Sequence, residues 1–296
     1  MTATRPVGER PTWVDDELFP FESHFAEIDG NVVHYVDEGS GPTLLMLTGN
    51  PVWSFVYREA ILTLRDRFRC IAVDFPGFGL STGAAGNRFL AQDHADVLVS
   101  FVDQLDLTGV TLIGHNWGGP LGLHAAQRRP ARFERLILAN TWAWPLNGDP
   151  LSEASSRGLG NWFGRELIKR TNLFVRFYIP MSHKRRTPSD AEMAHYLAAS
   201  STPESRTACA ALPGQLVGAK EFFVDLESRI GELQDLPVLI LWADSDPIFT
   251  DKYRRGLEER FPAHTTTVFR DVGHFLQSDA PVEFSDAIAI WMADQT

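Results

Sequence analysis

The sequence predicts an α/β fold: a mostly parallel central sheet flanked by helices, with a helical cap inserted late in the chain. Three observations carry this. Short apolar runs closed by Gly and Pro alternate with stretches of helical spacing, the pattern of parallel strands joined by right-handed crossovers. The alternation breaks once, between a strand ending near Asn140 and one starting at Pro237, where the chain is rich in Ala, Arg and aromatics. The chain has 296 residues, 44% hydrophobic and 22% charged, which suits one large core plus an insertion.

Residues 1–22 read as a Pro-rich arm on the surface. The alternation in 24–38 predicts two antiparallel strands turning at Asp29-Gly30-Asn31. TLLMLT (43–48) lies between Gly-Pro and Gly-Asn-Pro and reads as a buried parallel strand. A helix follows near 53–66, then a strand at 69–75 ending in Pro76-Gly77-Phe78-Gly79. Leu90, His94, Val97, Leu98, Phe101 and Leu105 keep helical spacing over 88–106. Strands are predicted at 110–113, 133–139, 237–242 and 265–269, and a helix at 281–293. The core is therefore expected over 1–144 and 231–296, and the helical cap over 145–230, with helices near 152–178 and 189–224.

The balance of charge excludes some functions. With 27 basic and 38 acidic residues the net charge is −11, so a phosphate backbone is repelled and no nucleic-acid partner is expected. The run His183-Lys184-Arg185-Arg186 reads as a solvated face. The longest apolar runs fall well short of the ~20 residues of a membrane span, so no membrane partner is expected. Cys70 and Cys209 are too few for a disulfide framework and show no zinc spacing; they read as buried thiols in a reducing compartment. The first residues lack an apolar signal core, so the cytoplasm is the expected location. There is no GxGxxG after the first strand, no GxxxxGK[ST] and no HExxH, so neither cofactor nor metal is expected.

Ligands in such sheets bind beyond the carboxyl ends of the strands. There, VTLIGHNWGGPLG (110–122) has the shape of a nucleophile elbow. Gly114 and Gly118 flank Asn116 in a G-x-Nu-x-G frame, which lets the central side chain stand on a sharp turn above the sheet. An acid and a histidine follow in the α/β-hydrolase order. Asp246, after the strand at 237–242, would hold one ring nitrogen of His274, and His274 would be the general base. Asp244 is the runner-up acid, otherwise a turn residue. Asp74 is expected to order the DFPGFG turn. His24 and His34 are expected on the surface. Of the aromatics Trp142, Trp144, Trp162, Phe163, Phe174, Phe177, Tyr178 and Tyr196, most are expected to form the cap's own core and the rest to line the pocket.

FPFESHF, VVHYVDEG, GNPVWSFVYRE (49–59), DFPGFGLS (74–81), HNWGGPLG (115–122), LANTWAWP (138–145), ADSDPIF (243–249) and GHFLQSDAP (273–281) together resemble the haloalkane dehalogenases of the α/β-hydrolase superfamily, over roughly 15–293. The resemblance implies attack by an elbow aspartate on a halogenated carbon, halide binding by an asparagine and a tryptophan, and histidine-activated hydrolysis of the alkyl ester. Carried onto this chain, the halide pair is Asn50 and Trp117, whose backbone N–H groups also form the oxyanion hole. The alternative acid position of other relatives is Asn140 here, neutral and unable to serve.

Two positions depart from the family. Asn116 stands where the family has Asp, and Thr48 where it usually has His. An amide oxygen is a weak nucleophile, and losing the nucleophile of such a unit costs on the order of 10⁴-fold or more in rate. Asn116 is accounted for by natural divergence, by an engineered change, or by self-hydrolysis to Asp; a second departure at Thr48 speaks for divergence. The function expected is a haloalkane dehalogenase-like hydrolase for a small apolar, halogenated substrate, its covalent step impaired or lost. The alternatives are a lyase, isomerase or cyclase using the His–Asp pair without a covalent intermediate, and a non-catalytic small-molecule-binding protein. Substrate identity and oligomeric state stay open.

Overall fold

The computed structural model describes residues 8–295. Eight strands form one sheet: β1 (His24–Ile28), β2 (Asn31–Glu38), β3 (Thr43–Leu47), β4 (Arg69–Val73), β5 (Val110–His115), β6 (Phe133–Ala139), β7 (Val238–Ala243) and β8 (His264–Phe269). Their spatial order is β1-β2-β4-β3-β5-β6-β7-β8. β1, β2 and β4 pair antiparallel, and the other neighbours pair parallel. Asp29 and Gly30 both take positive φ (49° and 76°) and make the predicted β1–β2 turn.

The central strands are buried on both sides, hence their continuous apolar runs. Successive side chains alternate between layers. Leu45 and Leu47 pack with Leu98, Phe101 and Leu121 of α2 (Ala91–Gln104) and α3 (Gly118–Arg128). Leu44 and Met46 pack with Ile61, Phe284 and Ile288 of α1 (Arg58–Leu64) and of the C-terminal helix Pro281–Ala293. Each such side chain stabilises the fold by about 1.5–3 kcal/mol.

Between β6 and β7 the chain is helical: α4 (Pro150–Gly160), α5 (Trp162–Thr171), a π-helical turn (Phe174–Tyr178) running into α6 (Ile179–Met181), α7 (Asp190–Ala199), α8 (Thr207–Gly218) and α9 (Lys220–Ser228). Three α-helices follow β7 among the described residues: α10 (Asp251–Arg260), α11 (Leu276–Asp279) and α12, the Pro281–Ala293 helix. The sequence shows no clear pattern for α10, for a physical reason. Only Tyr253 and Leu257 of DKYRRGLEER are buried, too few to show an apolar stripe.

Two expectations are corrected. Of the supposed surface arm, residues 1–7 lie outside the described residues, but Val14, Phe19 and Phe21 are buried in the core beside Trp53 and Phe55. Pro-rich composition hid three anchors spaced without periodicity. The basic run at 183–186 is a solvated face only in part: Lys184 and Arg185 are exposed, Arg186 is half-buried and His183 is buried. The Asp279 carboxylate accepts the backbone N–H groups of Lys184, Arg185, Arg186 and Gly273 at 2.8–3.1 Å. Arg185 pairs with Glu283 and Arg186 with Glu192, while His183 is buried against Ser278. Burial pushes the His183 imidazole down to about 4.

Candidate active site

The sheet itself creates the crevice. After β3 the chain turns to β4 on one side, and it later returns to β5 on the other, so the carboxyl ends of β3 and β5 lie side by side with their loops diverging. Asn50 follows β3 and Asn116 follows β5.

Asn116 takes the strained conformation of an elbow, φ +53°, between β5 and the first turn of α3. The turn is clamped from several directions. The Asn116 N–H donates to the Asn140 carbonyl at 3.3 Å, and its own carbonyl accepts from Thr141 Oγ1 at 2.6 Å. Gly49 is required by close approach, since a Cβ there would collide with Asn116 Oδ1 and the Trp117 nitrogen. At Gly114 a Cβ would meet the Gly119 backbone at 2.7 Å, preventing α3 from packing back on its strand.

The side chains form one chain of bonds. The Trp117 N–H donates to Asn116 Oδ1 at 2.7 Å, and Asn116 Nδ2 lies 2.9 Å from His274 Nε2. His274 Nδ1 lies 2.6 Å from Asp246 Oδ2. The carboxylate can only accept, so Nδ1 carries the ring proton and Nε2 accepts from the Asn116 amide. Rotating that amide by half a turn would set its oxygen against the Nε2 lone pair and its NH₂ against the Trp117 N–H. Asn116, His274 and Asp246 are all buried.

Asp246 is itself held. Its Oδ1 accepts from the backbone of Ile248 (2.8 Å) and Phe249 (3.1 Å), and Oδ2 accepts from Asn140 Nδ2 (2.8 Å). Asp244, the alternative acid, faces the other way, bonded to the Asp271 N–H and paired with the exposed Arg270. The sequence assigns Asn140 no role. It cannot be an acid, but it bridges β6 to β7, accepting from the Ala243 N–H at 2.7 Å while donating to Asp246. Its only sequence signal is its place at a strand end. His115 was also passed over. Its Nε2 donates to the His274 carbonyl at 2.9 Å with the rings 4.6 Å apart, and burial drives its pKa well down, so it stays neutral.

A cavity of about 480 Å³, counting its mouth, opens over these groups. Asn50, Asn116 and Trp117 form its floor, and Trp142, Phe174, Tyr178, Leu216 and Phe249 are among its apolar walls. Asn50 Nδ2 already donates to the Cys209 carbonyl at 3.1 Å, and Asn50 Oδ1 is buried with no partner among the described residues. One N–H of Asn50 is thus left for a ligand. The Tyr178 ring lies 5.8 Å from that of His274, and burial together with the Asp246 charge keeps its phenol protonated. Burial pushes both thiols, Cys70 and Cys209, up to about 12, so neither is a ready nucleophile.

The other aromatics divide differently from expectation. Tyr196 is buried against Phe55, and Trp144 stacks on Tyr253. Trp162, Phe163 and Phe177 are exposed and belong to neither core nor cavity. His34 is corrected from surface to core: it is buried, with Nδ1 2.8 Å from Asp74 Oδ2 and Nε2 3.1 Å from Ser23 Oγ. Asp74 also accepts from the Ser54 and Leu80 N–H groups, tying the DFPGFG turn to the loop after β3.

Comparison with known proteins identifies the family. The α/β hydrolase fold family matches residues 42–281. Haloalkane dehalogenase 2 of Mycobacterium tuberculosis is 39% identical over 277 residues, covering 93% of this chain and 96% of the relative. The chain belongs to the haloalkane dehalogenase family of α/β hydrolases. A cis-3-alkyl-4-alkyloxetan-2-one decarboxylase of Shewanella oneidensis is 30% identical over 294 residues, covering 94% of this chain and 91% of that one. Among solved structures, the haloalkane dehalogenase DbeA from Bradyrhizobium elkani superposes with a TM-score of 0.84 at 24% identity, over 93% of this chain and 98% of that one, a likeness of fold.

Proposed function

We propose that this family member binds a small apolar, halogenated substrate in the cavity over Asn116, with its covalent step impaired or lost because residue 116 is an amide. The observation that carries the reading is the unbroken chain from Asn116 through His274 to Asp246. Asn116 holds the nucleophile position, His274 is the base, Asp246 its orienting acid, and Asn50 with Trp117 the halide and oxyanion site. Residues 145–230 act as the cap that excludes water, which strengthens every polar contact inside. With a carboxylate at 116, an oxygen would attack the carbon bearing halogen, halide would leave toward Trp117 and Asn50, and His274 would activate water against the ester. With the neutral amide, the attacking atom carries no charge and the rate falls by about 10⁴-fold or more.

The test is halide release from 1,2-dibromoethane and 1-iodobutane by the chain and by Asn116→Asp. Release by the variant alone supports the reading; release by neither, with both folded, overturns it. Intact mass separates self-hydrolysis, since Asn to Asp adds about 1 Da.

A second reading is favoured by the intact His274–Asp246 pair beside a neutral Asn116, and by likeness to a decarboxylase. In it Asn116 donates a hydrogen bond to substrate and His274 moves a proton directly, as in a lyase, isomerase or cyclase. Such an enzyme loses its own reaction on His274→Ala, whereas a purely binding protein keeps its ligand.

A further inference from the structure

We propose that the cap segment around α5 and α6 docks this protein on an anionic lipid surface, with Trp162, Phe163, Leu167, Phe177 and Met181 entering the lipid and neighbouring arginines and lysines meeting the headgroups. These five side chains are 77%, 69%, 41%, 62% and 67% exposed. The other large exposed apolar residues (Leu62, Leu151, Val224, Ile248, Val268, Val282 and Ile290) are scattered along the chain, whereas these five fall within twenty residues. Concentrated apolar exposure marks an interaction surface, while single exposed residues do not.

The charge of the same stretch reverses that of the molecule. Residues 157–186 carry eight cations, namely Arg157, Arg165, Lys169, Arg170, Arg176, Lys184, Arg185 and Arg186, and one acid, Glu166, in a chain of net charge −11. Their ion-pair partners are Glu153, Glu166, Glu192 and Glu283, which leaves an excess of four positive charges. Arg165, Arg176 and Lys184 form no ion pair among the described residues. Bulky aromatics interleaved with arginine on a short helix are the composition of segments lying in a bilayer interface. The acidic remainder of the chain is repelled by anionic lipid, which favours approach by this cationic stretch. No helix among the described residues is long and apolar enough to cross a membrane, so attachment is peripheral.

The docking face adjoins the cavity. Phe174 and Tyr178 line it, while Phe177 and Met181, on the same run of helix, are exposed. A lipophilic substrate dissolved in the bilayer would reach the cavity past that turn. This holds whichever reaction Asn116 supports.

The test is co-sedimentation of the full chain with vesicles of phosphatidylcholine alone and of phosphatidylcholine mixed with phosphatidylglycerol. Expected is binding to the mixed vesicles, weakened by salt and at least ~10-fold weaker for Trp162→Ser/Phe163→Ser/Phe177→Ser. These side chains are exposed, so that variant should keep the parent's thermal midpoint. Trp162→Phe should lose the blue shift that the parent's fluorescence shows on mixed vesicles. Absence of binding by the parent, equal binding to both vesicle types, or undiminished binding by the triple variant overturns the proposal. Self-association abolished by the triple variant, without vesicle binding, also overturns it.

Discussion

Asn116 shows how far a residue can be read before its surroundings are known. The G-x-Nu-x-G frame placed it on a turn, and the order of elbow, acid and histidine selected Asp246 and His274. The positive φ at 116 and the bonds to Trp117 and His274 are what those patterns look like in space. Asn140 was not legible, because its value lies in a partner 106 residues away. Removing its side chain leaves the buried Ala243 N–H without its acceptor and Asp246 Oδ2 with His274 as its one side-chain partner. Asn140→Ala should therefore cost about 2 kcal/mol of stability, measured by urea unfolding. A loss within the error of the extrapolation would show that water takes over both bonds.

At the scale of elements, strands and helices with strong periodicity appear within a few residues of where the pattern puts them, as at β6 and α12. Contacts between elements are what sequence conceals. Ser189 and Glu192 are recognisable as a capping box, with Glu192 N to Ser189 Oγ at 3.2 Å and Ser189 N to Glu192 Oε2 at 2.7 Å. Nothing in that motif says that Glu192 also pairs with Arg58 of α1. Both side chains are buried, with 3% and 6% exposure, so the pair latches α7 to the core. Breaking one partner leaves the guanidinium charged and buried. Glu192→Ala should cost about 3 kcal/mol, and Glu192→Gln less, because the amide oxygen still accepts. Equal unfolding midpoints for Glu192→Ala and the parent would rule out the latch.

For the whole molecule, composition and alternation were enough for the fold class, the single interruption and the crevice at the carboxyl ends of the strands. They were not enough for the surroundings of the buried histidines: His34 read as a surface group, and the apolar stripe that holds His94 does not show that its ring lacks partners. His94 is enclosed by Phe75, Phe78 and Phe89, neither ring nitrogen has a partner among the described residues, and burial lowers its pKa to about 4. The unfolded chain takes up this proton near pH 6.5 and the folded chain only near 4, so stability is full above about 6.5 and falls as pH drops toward 4. The loss is about 3 kcal/mol from His94, with His183 adding in the same direction. Urea unfolding at pH 7 and near pH 4.5 should show the fall, and His94→Leu should shrink it; an unchanged slope would assign the acid lability elsewhere. The central claim, that residue 116 stands at the attacking position opposite the His274 imidazole, is tested most directly by intact mass of Asn116→Asp/His274→Gln after 1-iodobutane. A gain of about 56 Da localised to residue 116 is predicted, because the ester forms and lacks its base. Folded protein that stays unmodified, or carries the butyl group at another residue, would contradict it.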